Sequence, residues 1–386
     1  MTVERTAIAG LGMSEVGKVY GYTAAEFASI AVRNAVADAG LELSDLDGLI
    51  MSSGLGSGVD LRLQGTLGLT DLNLLTAMQG YGSTAAQMVQ YASMAVRSGT
   101  AETIAIVWAD DPLKENVSTG AAYQRAGRYA AGWQGLLAAG GVSGANTYYA
   151  LAARRHMRKY GTTNDHFGAI AVAQRQWATM NPLAQMRAPI TLEDYHASRW
   201  IAEPFHLLDC CLVSNGAAAL VITSLDRART LAQPPVEVLG WAQTHPGRGG
   251  VRNDDFGLVS GAARSGPAAL RMAGTTLDEI DVLEIYDCYT FTTLITMEDY
   301  GFCEKGEGGP FLAEPGVLGP EGKLKLNTGG GELSSYYLWG MTPLSEGVIQ
   351  ARGQAGDRQV ERHDRVLISG NGGTLDHHAT LVLGTV

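Results

Sequence analysis

Apolar and polar residues follow the same pattern in two separate parts of the chain. Residues 39–50 read Ala-Gly-Leu-Glu-Leu-Ser-Asp-Leu-Asp-Gly-Leu-Ile, and residues 273–284 read Ala-Gly-Thr-Thr-Leu-Asp-Glu-Ile-Asp-Val-Leu-Glu. Each segment follows an alanine-rich stretch with helical spacing and leads into an apolar run. Glycine directly after a helical stretch is typical of a helix C-terminus. The pattern therefore predicts a helix, an acidic turn and a strand in each place.

A second pair of elements is predicted after each repeat. Two segments have helical spacing and two are short and apolar: residues 83–97 and 342–352, and residues 103–108 and 365–368. Helices that alternate with continuously apolar strands indicate an α/β protein built in layers. We therefore predict two similar α/β halves, residues 1–235 and 236–386, which meet at Pro234-Pro235.

The stretch from about residue 110 to residue 204 interrupts this regular pattern. It contains glycine clusters, predicted helices over residues 148–160 and 165–180, and a break at Asn181-Pro182. We interpret it as a loop insertion that lies over the first half. Insertions of this kind often cover substrate sites.

Composition narrows the class of protein. Of the 386 residues, 46% are hydrophobic and 17% charged, which suits a buried core and excludes general disorder. The net charge is −11 and the basic residues form no stripe, so nucleic acid is not expected as a partner. No apolar run reaches membrane-spanning length and the N-terminus leads directly into a strand. We expect a soluble, cytoplasmic protein with no membrane association.

The cysteines and glycines do not form a metal, disulfide or dinucleotide motif. None of the four cysteines belongs to a Cys-x-x-Cys pair, and Cys210 and Cys211 are predicted to point to opposite faces of a strand. Gly10-Leu11-Gly12 and residues 54–58 resemble dinucleotide loops, but neither completes the Gly-x-Gly-x-x-Gly pattern with its acidic residue. We interpret both as turn glycines, and we expect no metal site.

Five motifs, taken in order, carry a family resemblance. They are Tyr160-Gly161-Thr162-Thr163, Asn181-Pro182-Leu183-Ala184, residues 204–219, Tyr286-Asp287-Cys288-Tyr289-Thr290, and residues 327–331. The chain resembles the sterol-carrier-protein-X branch of the thiolase superfamily over nearly its whole length. The resemblance implies an α/β thiolase fold of five layers, αβαβα, with two pseudo-repeated halves and a dimeric assembly.

The positions that carry thiolase chemistry in that family hold other residues in this chain. Residues 79–86 contain no cysteine, Tyr286 replaces the histidine of a His-Asp-Cys-Phe motif, and Tyr336-Tyr337-Leu338 stands about ten residues after Asn327, where the family has Gly-His-Pro. The position of the family's second catalytic cysteine corresponds to Gly370-Asn371-Gly372-Gly373, which contains no cysteine. A thioester-linked acyl-enzyme cannot form without a thiolate, so thiolysis by the thiolase mechanism is excluded.

The tyrosine motifs are similar to those of bacterial steroid side-chain retro-aldolases. This resemblance implies cleavage of a 17-hydroxy steroid acyl-CoA into a 17-ketosteroid and propionyl-CoA. It implies Tyr286 and, on our alignment, Tyr336 as the acid/base residues, with Tyr337 as a close competitor. A phenol titrates near about 10, so it serves readily as an acid and as a base only when a donor stabilises the phenolate.

An enolate formed by this cleavage needs hydrogen-bond donors. The backbone around Gly82 and Ser83 opens a predicted helix and would present N–H groups to an anion. By analogy with the fold, Asn371 would add a side-chain donor. One of His377 and His378 should turn inward from the last strand, and we include His378 in the predicted site, although a hydrogen-bonded core histidine is the simpler interpretation. Cys288 is interpreted as a packing residue. No cofactor is expected apart from the coenzyme A of the substrate.

The resemblance also implies a protein partner. Related aldolases form heterotetramers, in which a central aldolase homodimer binds a small acyl-CoA-associated protein with a zinc ribbon and an OB fold. A second protein would help an acidic chain to hold the phosphates of coenzyme A. Two other functions stay open: a catalytically inactive thiolase-like protein that binds lipid or acts as a scaffold, and an acyl-CoA enzyme that protonates an enolate without carbon–carbon cleavage.

Overall fold

The computed structural model describes residues 4–54, 58–122, 132–142, 144–246 and 255–386. The strands are β1 Thr6–Met13, β2 Gly48–Ser53, β3 Leu74–Ala77, β4 Thr103–Asp110, β5 Trp200–Ala202, β6 Phe205–His206, β7 Gly216–Ser224, β8 Val236–Thr244, β9 Val282–Ile285, β10 Arg365–Gly372 and β11 His377–Gly384. The helices are α1 Ala24–Asp38, α2 Leu63–Leu67, α3 Thr84–Arg97, α4 Gly132–Ala139, α5 Gly144–Tyr160, α6 Asn164–Thr179, α7 Leu192–Ala197, α8 Leu225–Ala228, α9 Ala262–Ala273, α10 Thr290–Tyr300, α11 Gly308–Ala313 and α12 Met341–Ala351. None of the helices in the described ranges combines the length and apolarity needed to cross a membrane.

Nine strands form one sheet in the order β3-β2-β4-β7-β1-β8-β11-β10-β9. The sheet is joined in its middle by a short antiparallel pairing of β1 with β8, where Ala7 lies opposite Glu237 and Ile8 opposite Val236. From this junction outward, each side has two antiparallel pairings and then a parallel one, and β3 adds a second parallel pairing at one edge. The two sides therefore have the same topology, while the division of the chain at residue 235 stays a prediction.

Helices cover both sides of the strands, so the strands are apolar on both faces. In β4, Ile104, Ile106 and Trp108 belong to the core cluster that includes α3 and α12, whereas the alternate residues Ala105 and Val107 face the cluster under α1. Helices α3 and α12 pack between the two sides of the sheet, with α1 and α9 outside. This arrangement is the predicted five-layer αβαβα fold.

The sequence repeat corresponds to a structural repeat. Helix α1 is followed by Gly40 at φ 73° and strand β2, and helix α9 is followed by Gly274 at φ 65° and strand β9. Both glycines are left-handed, a backbone conformation that side chains with a Cβ rarely adopt. The predicted helix, turn and strand are confirmed in both places.

Two predictions about local structure are wrong. Gly10 and Gly12 are not turn glycines, because both lie within β1, where an added Cβ would stand 2.1 Å from the backbone of Ala35 in α1. They allow that helix to pack directly on the strand. Cys210 and Cys211 do not lie in a strand, and Cys210 forms only an isolated bridge with Tyr289. The second glycine motif falls partly on residues 55–57, which lie outside the described residues.

Candidate functional site

The candidate site lies where the parallel strands β9 and β10 end. Tyr286 directly follows β9, and its backbone N–H donates to the carbonyl of Ser369 in β10 at 3.2 Å. Its ring lies against Gly82, where an added Cβ would be 2.2 Å from the ring. Only glycine at this position lets the start of α3 approach Tyr286, so the predicted residues Gly82 and Tyr286 are neighbours.

Tyr286 and Tyr337 form a hydroxyl pair. Their two oxygen atoms are 3.0 Å apart, which is hydrogen-bond distance. Tyr286 is buried and Tyr337 is half-buried. A ligand would therefore approach the pair from the side of Tyr337.

Tyr336, the preferred residue of our alignment, is not brought to Tyr286. Its backbone is extended, at φ −151° and ψ 165°, and consecutive side chains in an extended segment point in opposite directions. The hydroxyl of Tyr336 lies in the core, 3.0 Å from the hydroxyl of Ser345. Of the two tyrosines, the geometry favours Tyr337. It is also the tenth residue after Asn327, the spacing that the family resemblance gives.

The loop that carries Tyr337 is attached to the end of β9. The side chain of Asn327 accepts a hydrogen bond of 2.7 Å from the N–H of Ile285 and donates one of 2.9 Å to its carbonyl. The Asp287 carboxylate accepts hydrogen bonds from the N–H groups of Glu332, at 2.8 Å, and Leu333, at 3.3 Å. These bonds fix the position of Tyr337 relative to Tyr286.

Burial controls the ionisation of the buried tyrosine. Loss of hydration raises the pKa of Tyr286 well above its usual value, and the nearby Tyr337 and Glu332 raise this pKa further. Tyr286 is therefore a neutral phenol at physiological pH. It is poorly suited to hold a negative charge, so it can give a proton only if another group replaces that proton.

Most backbone N–H groups at the start of α3 already have acceptors. The N–H of Gly80 donates to Thr84 Oγ1 at 2.7 Å, that of Tyr81 to Gln79 Oε1 at 2.9 Å, and that of Ser83 to the Gly80 carbonyl at 3.2 Å. The hydroxyl of Ser83 donates to the same carbonyl at 2.7 Å. The predicted role of Ser83 as an anion donor is therefore not supported by its contacts, which stabilise the turn.

Tyr81 holds a strained backbone beside this turn. Its φ of 54° lies in the left-handed region, which is uncommon for a residue with a large side chain. The ring is half in solvent and stacks on His377 with centroids 6.1 Å apart. Such strain clusters at functional sites and is consistent with a site at the Gly82 elbow.

Asn371 contacts a tyrosine that the sequence reasoning missed. Its Nδ2 donates to the hydroxyl of Tyr149 at 2.9 Å, and its Oδ1 has no hydrogen-bond partner in the described part of the chain. Tyr149 lies on α5, within the predicted insertion, and its hydroxyl also contacts the thiol of Cys288. One sequence feature could have pointed to Tyr149. It begins a buried face of α5 that continues through Ala152, Ala153 and His156.

His378 is buried apart from the tyrosine pair. Its Nε2 lies 3.1 Å from the hydroxyl of Tyr300 and 3.1 Å from that of Ser369. Burial lowers the pKa of His378 to about 3, so the ring is neutral. The placement matches the hydrogen-bonded core histidine better than the predicted substrate-binding residue.

The cysteines of the chain are all described, and none is an activated nucleophile. Burial raises the pKa of each thiol, to about 12 even for Cys303, which is only half-buried. A thiol with a raised pKa carries almost no thiolate at neutral pH. Within the described ranges, no group of three metal-binding side chains converges.

Comparisons with known proteins identify the family of the chain. The family described as "Thiolase C-terminal domain-like" matches residues 242–385. The chain is 35% identical over 375 residues to the steroid side-chain-cleaving aldolase of Thermomonospora curvata, with 95% of both chains covered. It is 35% identical to the 17-hydroxy-3-oxo-4-pregnene-20-carboxyl-CoA lyase of Mycobacterium tuberculosis, covering 90% of this chain and 92% of the relative.

Other similar proteins include an acetyltransferase, a further aldolase and a thiolase. An acetyl-CoA acetyltransferase of Methanothermobacter thermautotrophicus is 30% identical, with 96% and 98% of the two chains covered. The solved structure of the Ltp2-ChsH2(DUF35) aldolase superimposes with a TM-score of 0.88 at 33% identity, covering 99% of this chain and 98% of that one. Human mitochondrial 3-ketoacyl-CoA thiolase, at 14% identity and a TM-score of 0.72, shares the fold. The chain therefore belongs to the SCP2-thiolase-like branch of the thiolase superfamily, and it is an aldolase rather than a thiolase.

Proposed function

We propose that the chain cleaves the side chain of a β-hydroxyacyl-CoA steroid by a retro-aldol reaction, with Tyr286 and Tyr337 as the acid/base pair. The products would be a 17-ketosteroid and propionyl-CoA. The observation that carries the proposal is the 3.0 Å hydrogen bond between the two phenol oxygens in a site that has no activated thiol. The substrate class is supported by the names of the relatives that are 35% identical.

The pair provides a route for the one proton that the reaction moves. Tyr337 takes the proton of the β-hydroxyl and passes its own proton along the hydrogen bond to Tyr286, and Tyr286 gives a proton to the α-carbon. The bond between the α- and β-carbons breaks in the same step, and its electron pair gives the thioester enolate character while Tyr286 protonates the α-carbon. The β-carbon becomes the ketone, so atoms and charges balance and both phenols regain their protons.

The burial of the pair suits a relay more than two separate ionisations. A free phenolate at Tyr286 would be costly, because burial raises its pKa well above the usual value. In a relay each phenol gains one proton as it loses another, so neither carries a full charge. Tyr337 is the half-buried member and is therefore assigned to the substrate hydroxyl.

Product analysis tests this function. The purified chain is incubated with 17-hydroxy-3-oxo-4-pregnene-20-carboxyl-CoA, alone and with a DUF35 protein co-expressed from the same organism. We expect mass spectrometry to detect a 17-ketosteroid and propionyl-CoA in equal amounts. Hydrolysis to free coenzyme A, or unchanged substrate in both mixtures, would contradict the proposal.

We propose further that the chain works as a homodimer bound to a DUF35 partner with a zinc ribbon and an OB fold, forming a heterotetramer. Strand β3 lies at a sheet edge, and its apolar residues Leu74 and Leu75 are only half-buried, which suits pairing with a second copy. The net charge of −11 is consistent with coenzyme A phosphates held in part by another protein. Light scattering of the isolated chain should give the mass of a dimer, and Leu75→Lys should reduce this to the mass of a monomer.

A further inference from the structure

Glu332 is a buried acid beside the tyrosine pair that the relay does not use. It lies in a π-helical turn, Gly331–Ser335, that immediately precedes the tyrosines. The side chain is fully buried, and neither carboxyl oxygen has a hydrogen-bond partner among the described residues. Its backbone N–H donates to the carboxylate of Asp287, the residue directly after Tyr286, and a charge on Glu332 would act on Tyr286 and Cys288, so this residue lies near the reacting groups.

The surroundings keep this carboxyl group neutral. Burial and the charge of Asp287 raise the pKa of Glu332 well above its usual value. The backbone N–H of Asp287 approaches the carboxyl group and opposes this rise, without reaching hydrogen-bond geometry. A neutral carboxyl group carries one O–H donor, and in the described structure this donor has no acceptor.

The backbone of Glu332 is held even though its side chain is not. Its N–H donates to Asp287 Oδ1 at 2.8 Å, and its carbonyl accepts from the N–H of Leu212 at 3.0 Å. The backbone from which the carboxyl group extends is therefore fixed relative to Tyr286 by the same contacts that position Tyr337. A buried polar group without a partner costs stability, and a fold that fixes one in place suggests a ligand that completes it.

Most of the other donors near the tyrosine pair are already engaged within the protein. The N–H groups of Gly80, Tyr81 and Ser83 already have acceptors, and Asn371 Nδ2 donates to Tyr149. An enolate needs a donor aimed at its oxygen atom, and a carboxylic acid kept neutral by an apolar site can provide one. Among the described residues, Glu332 is a buried acid near the pair whose carboxyl group makes no hydrogen bond.

We infer that Glu332, as a neutral carboxylic acid, donates a hydrogen bond to the thioester oxygen of the substrate as it becomes the enolate oxygen. This inference rests on the proposed retro-aldol function and adds a catalytic residue to it. Glu332 keeps its proton throughout. The α-carbon receives its proton from Tyr286, and no further reactant is needed.

Two substitutions of similar size show whether Glu332 acts as a hydrogen-bond donor or only fills space in the core. Glu332→Gln keeps a neutral donor, whereas Glu332→Leu removes it and fills the same space with an apolar group. We expect Glu332→Leu to lower kcat by about 10²-fold or more, the usual effect of losing one oxyanion donor, with a smaller change in KM. Glu332→Gln should retain kcat within about tenfold of the wild type, as expected for a weaker neutral donor.

Thermal unfolding provides the matched control. Because the carboxyl group has no partner in the free protein, Glu332→Leu should unfold at the same or a higher temperature than the wild type. A purely structural role predicts the opposite, a loss of stability with the activity of the folded fraction unchanged. Wild-type kcat in Glu332→Leu, or equal losses of kcat in the Leu and Gln variants, would overturn the inference.

Infrared spectroscopy tests the protonation state without any substrate. The difference spectrum between wild type and Glu332→Gln at neutral pH should contain the C=O stretch of a protonated carboxyl group. A carboxylate band in its place would overturn the inference, whatever the activity.

If the wild type makes ketosteroid and only the Glu332 results fail, the retro-aldol function stands. If the wild type makes none, it is the proposed function that fails.

Discussion

Two buried polar clusters include residues at or next to the end of β9, and they differ in how many of their polar atoms are hydrogen-bonded. The carboxylate cluster consists of Glu284, Thr328, Glu346, Gln350 and Arg358; the tyrosine cluster consists of Tyr149, Tyr286, Glu332, Tyr337 and Asn371. In the carboxylate cluster, Arg358 donates to both oxygens of Glu346, at 2.8 and 3.0 Å, and Thr328 donates to Glu284 at 2.7 Å. None of its side-chain polar atoms is among the unpartnered atoms of the described residues.

The tyrosine cluster, by contrast, contains unpaired polar atoms. Both carboxyl oxygens of Glu332 and Oδ1 of Asn371 have no partner within the described parts of the chain. In a cluster whose polar groups are all hydrogen-bonded, those bonds stabilise the folded protein. A cluster with unpaired donors and acceptors can still form hydrogen bonds with a ligand. Substitutions in the first cluster should therefore change stability, and substitutions in the second should change activity.

The largest effect is expected from the paired phenols. Tyr286→Phe and Tyr337→Phe should each lower kcat by about 10²–10⁴-fold, because each removes a member of the acid/base pair. Their unfolding temperatures should stay close to that of the wild type. Tyr336→Phe is the matched control, since its hydroxyl contacts Ser345 in the core and should be dispensable for turnover. Steady-state kinetics on a steroid acyl-CoA gives the comparison, and a loss confined to Tyr336→Phe would reverse the assignment.

Arg358→Met should mainly affect stability. The substitution leaves Glu346 buried without its charged partner, and breaking a buried ion pair in this way costs about 3–5 kcal/mol. Denaturant unfolding measures the loss, and the kcat of the folded enzyme should stay near the wild-type value. A large fall in kcat with unchanged stability would show that the two clusters are not separable.

A pH-dependent effect is expected from His378. Its pKa is lowered to about 3 in the folded state, from an ordinary value of 6.5, because the buried ring must stay neutral. The stabilisation is present above about pH 6.5 and is lost, at roughly 1.4 kcal/mol per pH unit, as the pH falls toward the folded-state pKa. His378→Gln should lack this part of the acid dependence in a pH series of thermal unfolding, without a change in kcat. If the unfolding temperature of His378→Gln falls with acid as steeply as that of the wild type, this assignment to His378 is wrong.

The smallest effect is expected from Ser83→Ala. The Ser83 hydroxyl bonds to the Gly80 carbonyl at 2.7 Å and accepts from Gln87 Nε2 at 2.8 Å, so its removal should cost about 1 kcal/mol of stability. We expect kcat to change little, because these bonds are internal to the turn. A fall in kcat as large as that of Tyr337→Phe would return Ser83 to the list of anion donors.

The fold was predictable because its signals are local. A glycine that ends a helix, as Gly40 and Gly274 do, acts within one turn of chain, and its effect does not depend on the rest of the molecule. The position of Tyr286 is local in the same sense, since the apolar run that ends at Ile285 marks the strand and Tyr286 follows it directly.

The unpredicted features depend on contacts between distant segments. Whether Tyr336 or Tyr337 faces Tyr286 is set by the turn before them, which is fixed by hydrogen bonds to Asp287. The link between Tyr149 and Asn371 joins residues that are 222 positions apart, so no periodicity reveals it. The unpartnered state of Glu332 is visible only when its surroundings are known.

A double-mutant cycle on Tyr286→Phe and Tyr337→Phe measures most directly whether the two phenols act as one relay. Ketosteroid formation is followed in single turnovers for the wild type, both single variants and the double variant. Because a relay is broken by the loss of either phenol, the double variant should be hardly slower than the slower single one. Losses that multiply, so that each phenol contributes independently, would contradict a shared proton path.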